Sequence, residues 1–148
     1  MKRSIIIFFL LGSLLGACMG SSPTVEDVQR LTVGDGTEQK MYSVAELKEL
    51  APSESDFNGV GYIGVPLTEL LIDAGFDPQA IQVVKVSASD GYSINYDSDL
   101  FMREDVLVAY AQVDGDLTED DGTFRMVLPG EEGKLNLRML VEIKVILE

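Results

Sequence analysis

The sequence predicts an α/β (α+β) domain in which two short helices pack on a mixed β-sheet. Three observations predict this class: strand-like runs outnumber helical ones, two segments have the apolar spacing of short helices, and strands occur both singly and as hairpins. The chain has 148 residues, 46% of them hydrophobic and 24% charged, so it is long enough for one domain with a substantial core. We assign that domain to residues 28–148.

Strand-like runs rich in β-branched residues predict most of the sheet. They occupy residues 28–33, 39–42, 81–88, 92–96, 106–113, 124–128 and 140–147. Glycine-containing turns at residues 34–36 and 89–91 join the first two runs, and then the third and fourth, as hairpins. The run at 106–113 is almost continuously apolar, which favours a strand buried on both faces in the middle of a sheet.

Two segments carry helix signals. Ser43 and Glu46 have the spacing of a capping box, and the apolar stripe that follows predicts a short helix ending at Pro52. A second helix is predicted over residues 66–74, with proline at its start and Gly75 as its stop. The polar, glycine-containing stretch between the two helices is interpreted as a connection.

Charge and residue counts exclude several functional classes. The chain has 11 Lys and Arg against 25 Asp and Glu, a net charge of −14, which would repel a nucleic-acid backbone. It contains no His and one Cys, which excludes a Ser/His/Asp triad, a multi-His or multi-Cys zinc site and an internal disulfide. Carboxylates, hydroxyls, tyrosines and a few cations remain for chemistry.

The first residues have the order of a secretory signal. Two basic residues precede an apolar run at 5–15, which is too short to span a bilayer as a helix. The L-G-A-C string that ends at Cys18 resembles the bacterial lipobox, which implies cleavage after Ala17 and a diacylglycerol on the Cys18 thiol. The alternatives are a chance cysteine in an ordinary signal peptide, or a small buried apolar residue. We predict a lipoprotein signal peptide at residues 1–17.

Lipidation would place the domain outside the cytoplasm. Residues 18–27 are then a lipidated N-terminus and flexible tether, and the acyl chains are the expected contact with the membrane. Removing residues 1–17 leaves nine basic and 25 acidic residues, a charge of −16 that would keep the domain off an anionic lipid surface. Met19 follows the cysteine, which by resemblance to bacterial sorting rules permits the outer membrane as well as the outer face of the cell membrane.

Five ordered motifs carry a family resemblance. They read G-V-P-L-T-E-L-L-I-D-A-G at 64–75, S-D-G-Y at 89–92, V-L-V-A-Y at 106–110, F-R-M-V-L-P-G at 124–130 and L-R-M-L at 137–140. In this order they resemble the oxidoreductase molybdopterin-binding domain of the sulfite oxidase superfamily. The resemblance spans about residues 31–146 and implies the fold of that domain.

The departures from the family pattern concern its chemistry. In catalytic members a cysteine thiolate just before the G-V-P-L helix binds molybdenum, and histidines contact the pterin. This chain has neither residue type there, and residues 52–61 are too few for the family's cysteine-bearing strand and loop. The resemblance therefore implies a family fold without molybdenum chemistry, so no catalytic residue is assigned and no cofactor is expected.

Two arginines remain as candidate binding residues. Arg125 matches the arginine of the family's P-L-R motif, and Arg138 matches the lysine of its V-K-W-L motif. The resemblance implies that both could contact the pterin or another anion. The alternatives for Arg125 are an ion pair with Asp120 or Asp121, or an outward-facing strand position.

Two loops supply weaker candidates. By analogy with the family, one turn is expected to line the mouth of the same pocket, although turn geometry alone explains its D-G step. That turn consists of Asp90, Gly91 and Tyr92. The other loop has carboxylates at alternate positions, as in the first half of a calcium loop, but lacks the glycine and final glutamate of an EF-hand. An irregular calcium site or a solvated acidic loop remains open for Asp114, Asp116 and Asp120.

Two functional classes follow from these observations. The first is a lipid-anchored, non-catalytic domain that binds an unknown protein or small molecule in the cell envelope. The second is a redox accessory protein that holds molybdopterin without a cysteine ligand, through Arg125 and backbone amides. The second class predicts a cofactor-sized pocket lined by Arg125 and Arg138; arginines on opposite sides of the sheet, or an apolar filling, would exclude it.

Overall fold

A computed structural model describes residues 28–148, which form ten strands, three short α-helices and one 3-10 turn. The strands are β1 Leu31–Gly34, β2 Gln39–Tyr42, β3 Ser53–Phe57, β4 Val60–Pro66, β5 Ile81–Ala88, β6 Ser93–Tyr96, β7 Leu107–Gln112, β8 Gly115–Asp116, β9 Arg125–Val127 and β10 Leu140–Leu147. The helices are α1 Val44–Lys48, α2 Leu67–Asp73 and α3 Ser98–Phe101, and the 3-10 turn is Pro78–Ala80. The predicted signal peptide, Ala17, Cys18 and the tether lie outside the described residues.

The strands form two sheets. The first has the order β2-β1-β10-β5-β6, with β1 and β10 parallel and the other pairs antiparallel. The second is antiparallel with the order β3-β4-β7-β8, and β9 pairs with the same edge of β7 as β8. The predicted fold class, mixed α/β with few short helices, is confirmed. The single sheet and the count of two helices are wrong, because the strands divide between two sheets and a third helix is present.

The main core lies between the sheets and the helices. It combines buried side chains of both sheets, such as Val84 and Ile143 from the first and Val108 from the second, with Leu70 of α2. A smaller cluster on the other face of the second sheet includes Leu107. Because alternate residues of β7 belong to the two clusters, this strand is buried on both faces, as its apolar run predicted.

The predicted capping box opens α1. The Ser43 hydroxyl accepts from the Glu46 amide at 3.2 Å, and the Glu46 carboxylate accepts from the Ser43 amide at 2.7 Å. The helix ends at Lys48, earlier than the predicted stop at Pro52. Helix α2 begins directly after Pro66 and is followed by Gly75 at φ +95°, which is the chain reversal that glycine permits. Both helix predictions are confirmed, with shorter bounds.

The stretch interpreted as a connection is a β-hairpin. Phe57 pairs with Val60 across a two-residue turn in which Asn58 and Gly59 both have positive φ. An Asn-Gly pair between two strand-like runs is the usual signal of such a hairpin, so the sequence contained the information. The strand before it, β3, is polar because it lies at the edge of its sheet. Because β3 has no apolar run, the sequence analysis did not predict a strand there and interpreted the hairpin as a connection.

Three of the predicted strands have the predicted bounds, and the others differ at their ends. Strands β2, β5 and β10 match the predicted runs, whereas β1 begins at Leu31 and leaves Val28 exposed. Helix α3 was not predicted from the sequence; it is capped by Asp97, whose carboxylate accepts from the Leu100 amide at 3.2 Å. Across residues 28–148, no helix has the length and apolar character needed to cross a bilayer.

Candidate functional site

The loop between β9 and β10 lines two adjoining clefts. The larger cleft, about 420 Å³, is lined by Ala88, Asp90, Tyr92, Asp120, Gly133, Lys134, Asn136, Leu137, Arg138 and Met139. The smaller, about 340 Å³, is lined by Phe57, Asn58, Arg125, Gly133, Asn136 and Arg138. The two clefts share three lining residues, of which Arg138 is one. The structure therefore brings Arg125, Arg138, Asp90 and Tyr92 to one region.

Hydrogen bonds from three directions hold this loop in place. The Asn136 side chain imitates a neighbouring strand, since it accepts from the Leu128 amide at 2.6 Å and donates to the Leu128 carbonyl at 3.2 Å. The buried Tyr96 hydroxyl donates to the Leu135 carbonyl, and burial raises the pKa of this phenol, which keeps it protonated as a donor. Arg103 donates to the Pro129 carbonyl at 2.7 Å. These hydrogen bonds hold in place the loop that lines both clefts.

Arg125 is a buried cation between two aromatic rings. Its residue is only 4% exposed, and its guanidinium carbon lies 4.6 Å from the Tyr62 ring centroid and 5.6 Å from that of Phe57. Nη1 donates to the Tyr62 hydroxyl at 2.9 Å and to the Asp121 carboxylate at 2.6 Å. The ion pair with Asp121, one of the alternatives for this arginine, is therefore present, and Asp120 has no part in it.

Asp121 is held as firmly as its partner. Its second carboxylate oxygen accepts from the Thr118 hydroxyl at 2.9 Å and the Thr118 amide at 3.3 Å. Its backbone carbonyl accepts from the Met139 amide at 2.8 Å, which fastens the loop before β9 to the strand β10 that follows the cleft. Both charges can be buried because they pair with each other and because the atoms involved have further hydrogen-bond partners. Arg125 Nη1 also donates to the Tyr62 hydroxyl, and the second oxygen of Asp121 accepts from Thr118.

One nitrogen of Arg125 remains available to the smaller cleft. No described residue accepts a hydrogen bond from its Nη2 atom, while Nε donates to the Met126 carbonyl at 3.4 Å. Among the described residues no side-chain nitrogen is both fully buried and unpaired, so Nη2 keeps some exposure, and Arg125 lines the smaller cleft. Arg138 lines the same cleft, is exposed, and forms no ion pair within residues 28–148. Two guanidinium groups therefore offer donors to one cavity.

The larger cleft has mixed charge. Asp90 uses its carboxylate in its own turn, accepting from the Tyr92 amide at 2.9 Å, and Gly91 at φ +89° shapes that turn without lining the cleft. Lys134 pairs with Glu132 at 2.7 Å, and this hydrogen bond raises the pKa of the ammonium. The half-exposed Tyr92 ring adds an apolar surface. Arg138 is the one lining cation of this cleft that has no carboxylate partner among the described residues.

Met139 is a site residue that the sequence did not indicate. It has φ +53°, a conformation that side chains other than glycine rarely adopt. Its amide donates to the Asp121 carbonyl, and its carbonyl accepts from the Ser89 amide at 2.9 Å. One strained residue thus ties the Asp90 turn, the Asp121 loop and the Arg138 position together. No local pattern predicts a methionine with positive φ, since the conformation is imposed by these tertiary hydrogen bonds.

The acidic loop does not form a metal site in the structure. In the described part of the chain, no group of three or more acidic side chains is placed to share a metal ion. Asp116 lies in the short strand β8, Asp114 precedes it, and Asp120 lines the larger cleft on its own. The structure therefore does not bring the three predicted calcium ligands together, and gives no support to the calcium hypothesis.

A comparison with protein families decides the identity of the fold. The profile described as oxidoreductase molybdopterin binding domain matches residues 24–148. The chain belongs to this molybdopterin-binding domain family. Among solved structures it is similar to the sulfane dehydrogenase SoxCD from Paracoccus pantotrophus, with a TM-score of 0.66 and 18% sequence identity. The match covers 78% of this chain and 37% of that chain, so the chain spans well under half of this relative. A comparison with curated proteins finds no match.

The donor set of the site fits an anion better than a thiolate-bound molybdenum. Residues 28–148 of this family member contain no cysteine and no histidine, so they offer no thiolate or imidazole ligand. Both arginines line the smaller cleft, which is neither split by the sheet nor filled with apolar side chains. Guanidinium groups are suited to phosphate or carboxylate oxygens. The arrangement could therefore hold the anionic part of a ligand.

Proposed function

We propose that this protein is a lipid-anchored, non-catalytic member of the molybdopterin-binding domain family that binds an anionic ligand in the cleft of Arg125 and Arg138. One observation carries the proposal: the buried arginine of the site is neutralised on one side by Asp121, while no thiolate stands anywhere in residues 28–148. A guanidinium fixed by the protein itself can bind an anion without rearranging. The guanidinium group itself cannot accept or release electrons.

Metal and pterin analysis of the full-length chain tests this proposal. The chain is purified from a host that makes molybdenum cofactor, and molybdenum is measured by elemental analysis and released pterin by fluorescence. We expect far less than one molybdenum atom per chain, because residues 28–148 contain no cysteine that could supply a thiolate ligand. A cysteine-containing family member from the same host should carry molybdenum and serves as the control. Stoichiometric molybdenum in this chain would contradict the proposal.

The second candidate is an accessory protein that binds molybdopterin without a cysteine ligand. The observation that favours it is that Arg125 and Arg138 line the same cleft of about 340 Å³, where both could reach the anionic groups of a pterin. The same preparation separates the two candidates. Pterin released in proportion to the chain selects this one, and its absence leaves a binding module for another anion.

The lipid anchor is proposed from the signal sequence. Loss of the Cys18 thiol removes the atom that would carry the diacylglycerol, so the variant Cys18→Ala is expected to lose membrane retention and remain an uncleaved precursor. The measurement is metabolic labelling with a fatty acid, together with fractionation and the mass of the product. Met19→Ala is the matched control, since it changes the neighbouring residue and keeps the thiol. Labelling and fractionation of Cys18→Ala like the wild type would show that the anchor lies elsewhere.

A further inference from the structure

The outer face of the first sheet carries two lysines side by side. Lys144 of β10 and Lys85 of β5 are direct partners in the antiparallel register, and both point away from the core because their neighbours in sequence are buried. Such directly opposed side chains lie about 5 Å apart at Cβ, and like charges at this spacing destabilise a sheet. In the next row Ile146 faces Val83, so an apolar pair adjoins the charged pair.

These lysines stand out among the cations of the domain. Residues 28–148 contain nine Lys and Arg, and five of them form ion pairs. The five are Arg30, Lys40, Arg103, Arg125 and Lys134. Lys48 stacks on the Tyr110 ring at 5.7 Å, and Arg138 lines the cleft. Lys85 and Lys144 therefore lack ion pairs within the described residues although the chain has a net charge of −14.

The lysine pair forms part of a shallow groove. The groove measures about 490 Å³ and is lined by Asp35, Lys85, Lys144, Val145, Ile146 and Leu147. Asp35 forms no ion pair with either lysine, and its Oδ1 accepts the amides of Thr37 and Glu38 at 2.7 and 2.8 Å in its own turn. The Glu38 and Thr37 amides lower the pKa of Asp35, and Lys144 adds a smaller electrostatic contribution. Ile146 and Leu147 are among the exposed large apolar residues. An exposed apolar patch rimmed by polar side chains is typical of an interaction surface.

We propose that this groove docks an acidic, extended segment of a partner protein. The charged and apolar rows are two residues apart along β10, about 7 Å, which is also the spacing of side chains on one face of an extended chain. A segment with a carboxylate and, two positions later, an apolar side chain would place the carboxylate against the two lysines, partly neutralise their charge, and cover Ile146. An anionic bilayer is a poorer match, because it would also cover the exposed Glu142 on the same face, whereas one extended segment can lie over the lysine row alone. This surface is separate from the arginine cleft.

A peptide-binding experiment on the full-length chain tests the docking surface. The probe is a fluorescent peptide with alternating glutamate and isoleucine on one face and threonine between them; a second peptide has lysine in place of glutamate. We expect the acidic peptide to bind and the lysine peptide not to bind. Binding of the acidic peptide should weaken at high salt, and it should be about tenfold weaker to the double variant Lys85→Gln/Lys144→Gln. Lys48→Gln removes a charge elsewhere and should bind as the wild type does. Thermal melts establish that all variants are folded.

Three outcomes would overturn the proposal. They are no binding of the acidic peptide, equal binding of the lysine peptide, and binding that the double variant leaves unchanged. Phosphatidylglycerol vesicles are tested beside the peptides, and lysine-dependent binding to vesicles without binding to the acidic peptide would assign the face to the membrane instead. If Arg138→Gln abolished peptide binding and the double lysine variant did not, the peptide would occupy the arginine cleft and this proposal would be overturned, so its failure is distinguishable from failure of the cleft proposal.

Discussion

Replacing Asp121 with alanine is expected to lower the free energy of unfolding by about 3–5 kcal/mol. The side chains of Asp121 and Arg125 are 6% and 5% exposed, so the substitution would leave a guanidinium charge buried between two aromatic rings with the Tyr62 hydroxyl as its remaining side-chain partner. The Thr118 hydroxyl would lose its acceptor as well. Urea denaturation followed by circular dichroism measures the effect as a fall in the transition midpoint.

Two further variants show whether the charge itself is responsible. The double variant Asp121→Leu/Arg125→Met removes both charges and should recover most of the lost stability, because an apolar pair avoids the desolvation of an unpaired ion. Asp120→Ala removes the neighbouring exposed carboxylate and is expected to change stability by no more than about 0.5 kcal/mol. If Asp121→Ala were as stable as Asp120→Ala, the ion pair would have no structural role and Arg125 would not be held in place for a ligand.

Local signals accounted for much of the fold. The Ser43 and Glu46 capping box, the proline and glycine around α2, and the alternating run of β10 each depend on residues a few positions apart, and each prediction is confirmed. The division into two sheets could not be predicted in this way. It depends on which strands pair, and pairs such as β1 with β10 join residues more than a hundred positions apart. Single-sequence patterns contain no register across such distances.

The candidate site, like the fold, could be predicted only where its residues are close together in sequence or match a family motif. Asp121 is four residues from Arg125 and was therefore within the range that charge patterning can suggest. Tyr62 lies 63 positions from Arg125, which is outside that range. Its contact with Arg125 depends on the pairing of β4 with β7 and of β7 with β9. The positive φ of Met139 is likewise a product of tertiary hydrogen bonds. The family resemblance placed Arg125 and Arg138 as candidates, and the packing determined which atoms of Arg125 remain available.

Gly64 is the position where a single added methyl group should have the other large effect. A Cβ there would overlap the carbonyl oxygen of Val108 and lie 2.6 Å from the Cα of Ala109, both backbone atoms of the adjacent strand β7. Backbone atoms in the middle of a sheet cannot move aside as a flexible side chain can, so Gly64→Ala is expected to cost about 3 kcal/mol or more. A thermal melt followed by circular dichroism measures the loss.

Gly64→Ala should also disturb the position of Arg125 in the candidate site. Gly64 is the register partner of Ala109, and Ala109 is in turn the partner of Arg125, so the three residues form one row across the second sheet. Moving β7 away from β4 separates Arg125 from Tyr62, which lies on β4 two residues before Gly64. Gly133→Ala is the matched control, because a Cβ at that cleft position meets nothing within 4 Å and should leave the melt unchanged. A Gly64→Ala protein that melts like Gly133→Ala would show that the two strands can separate at no cost. The glycine of the G-V-P-L motif would then need an explanation other than close strand packing.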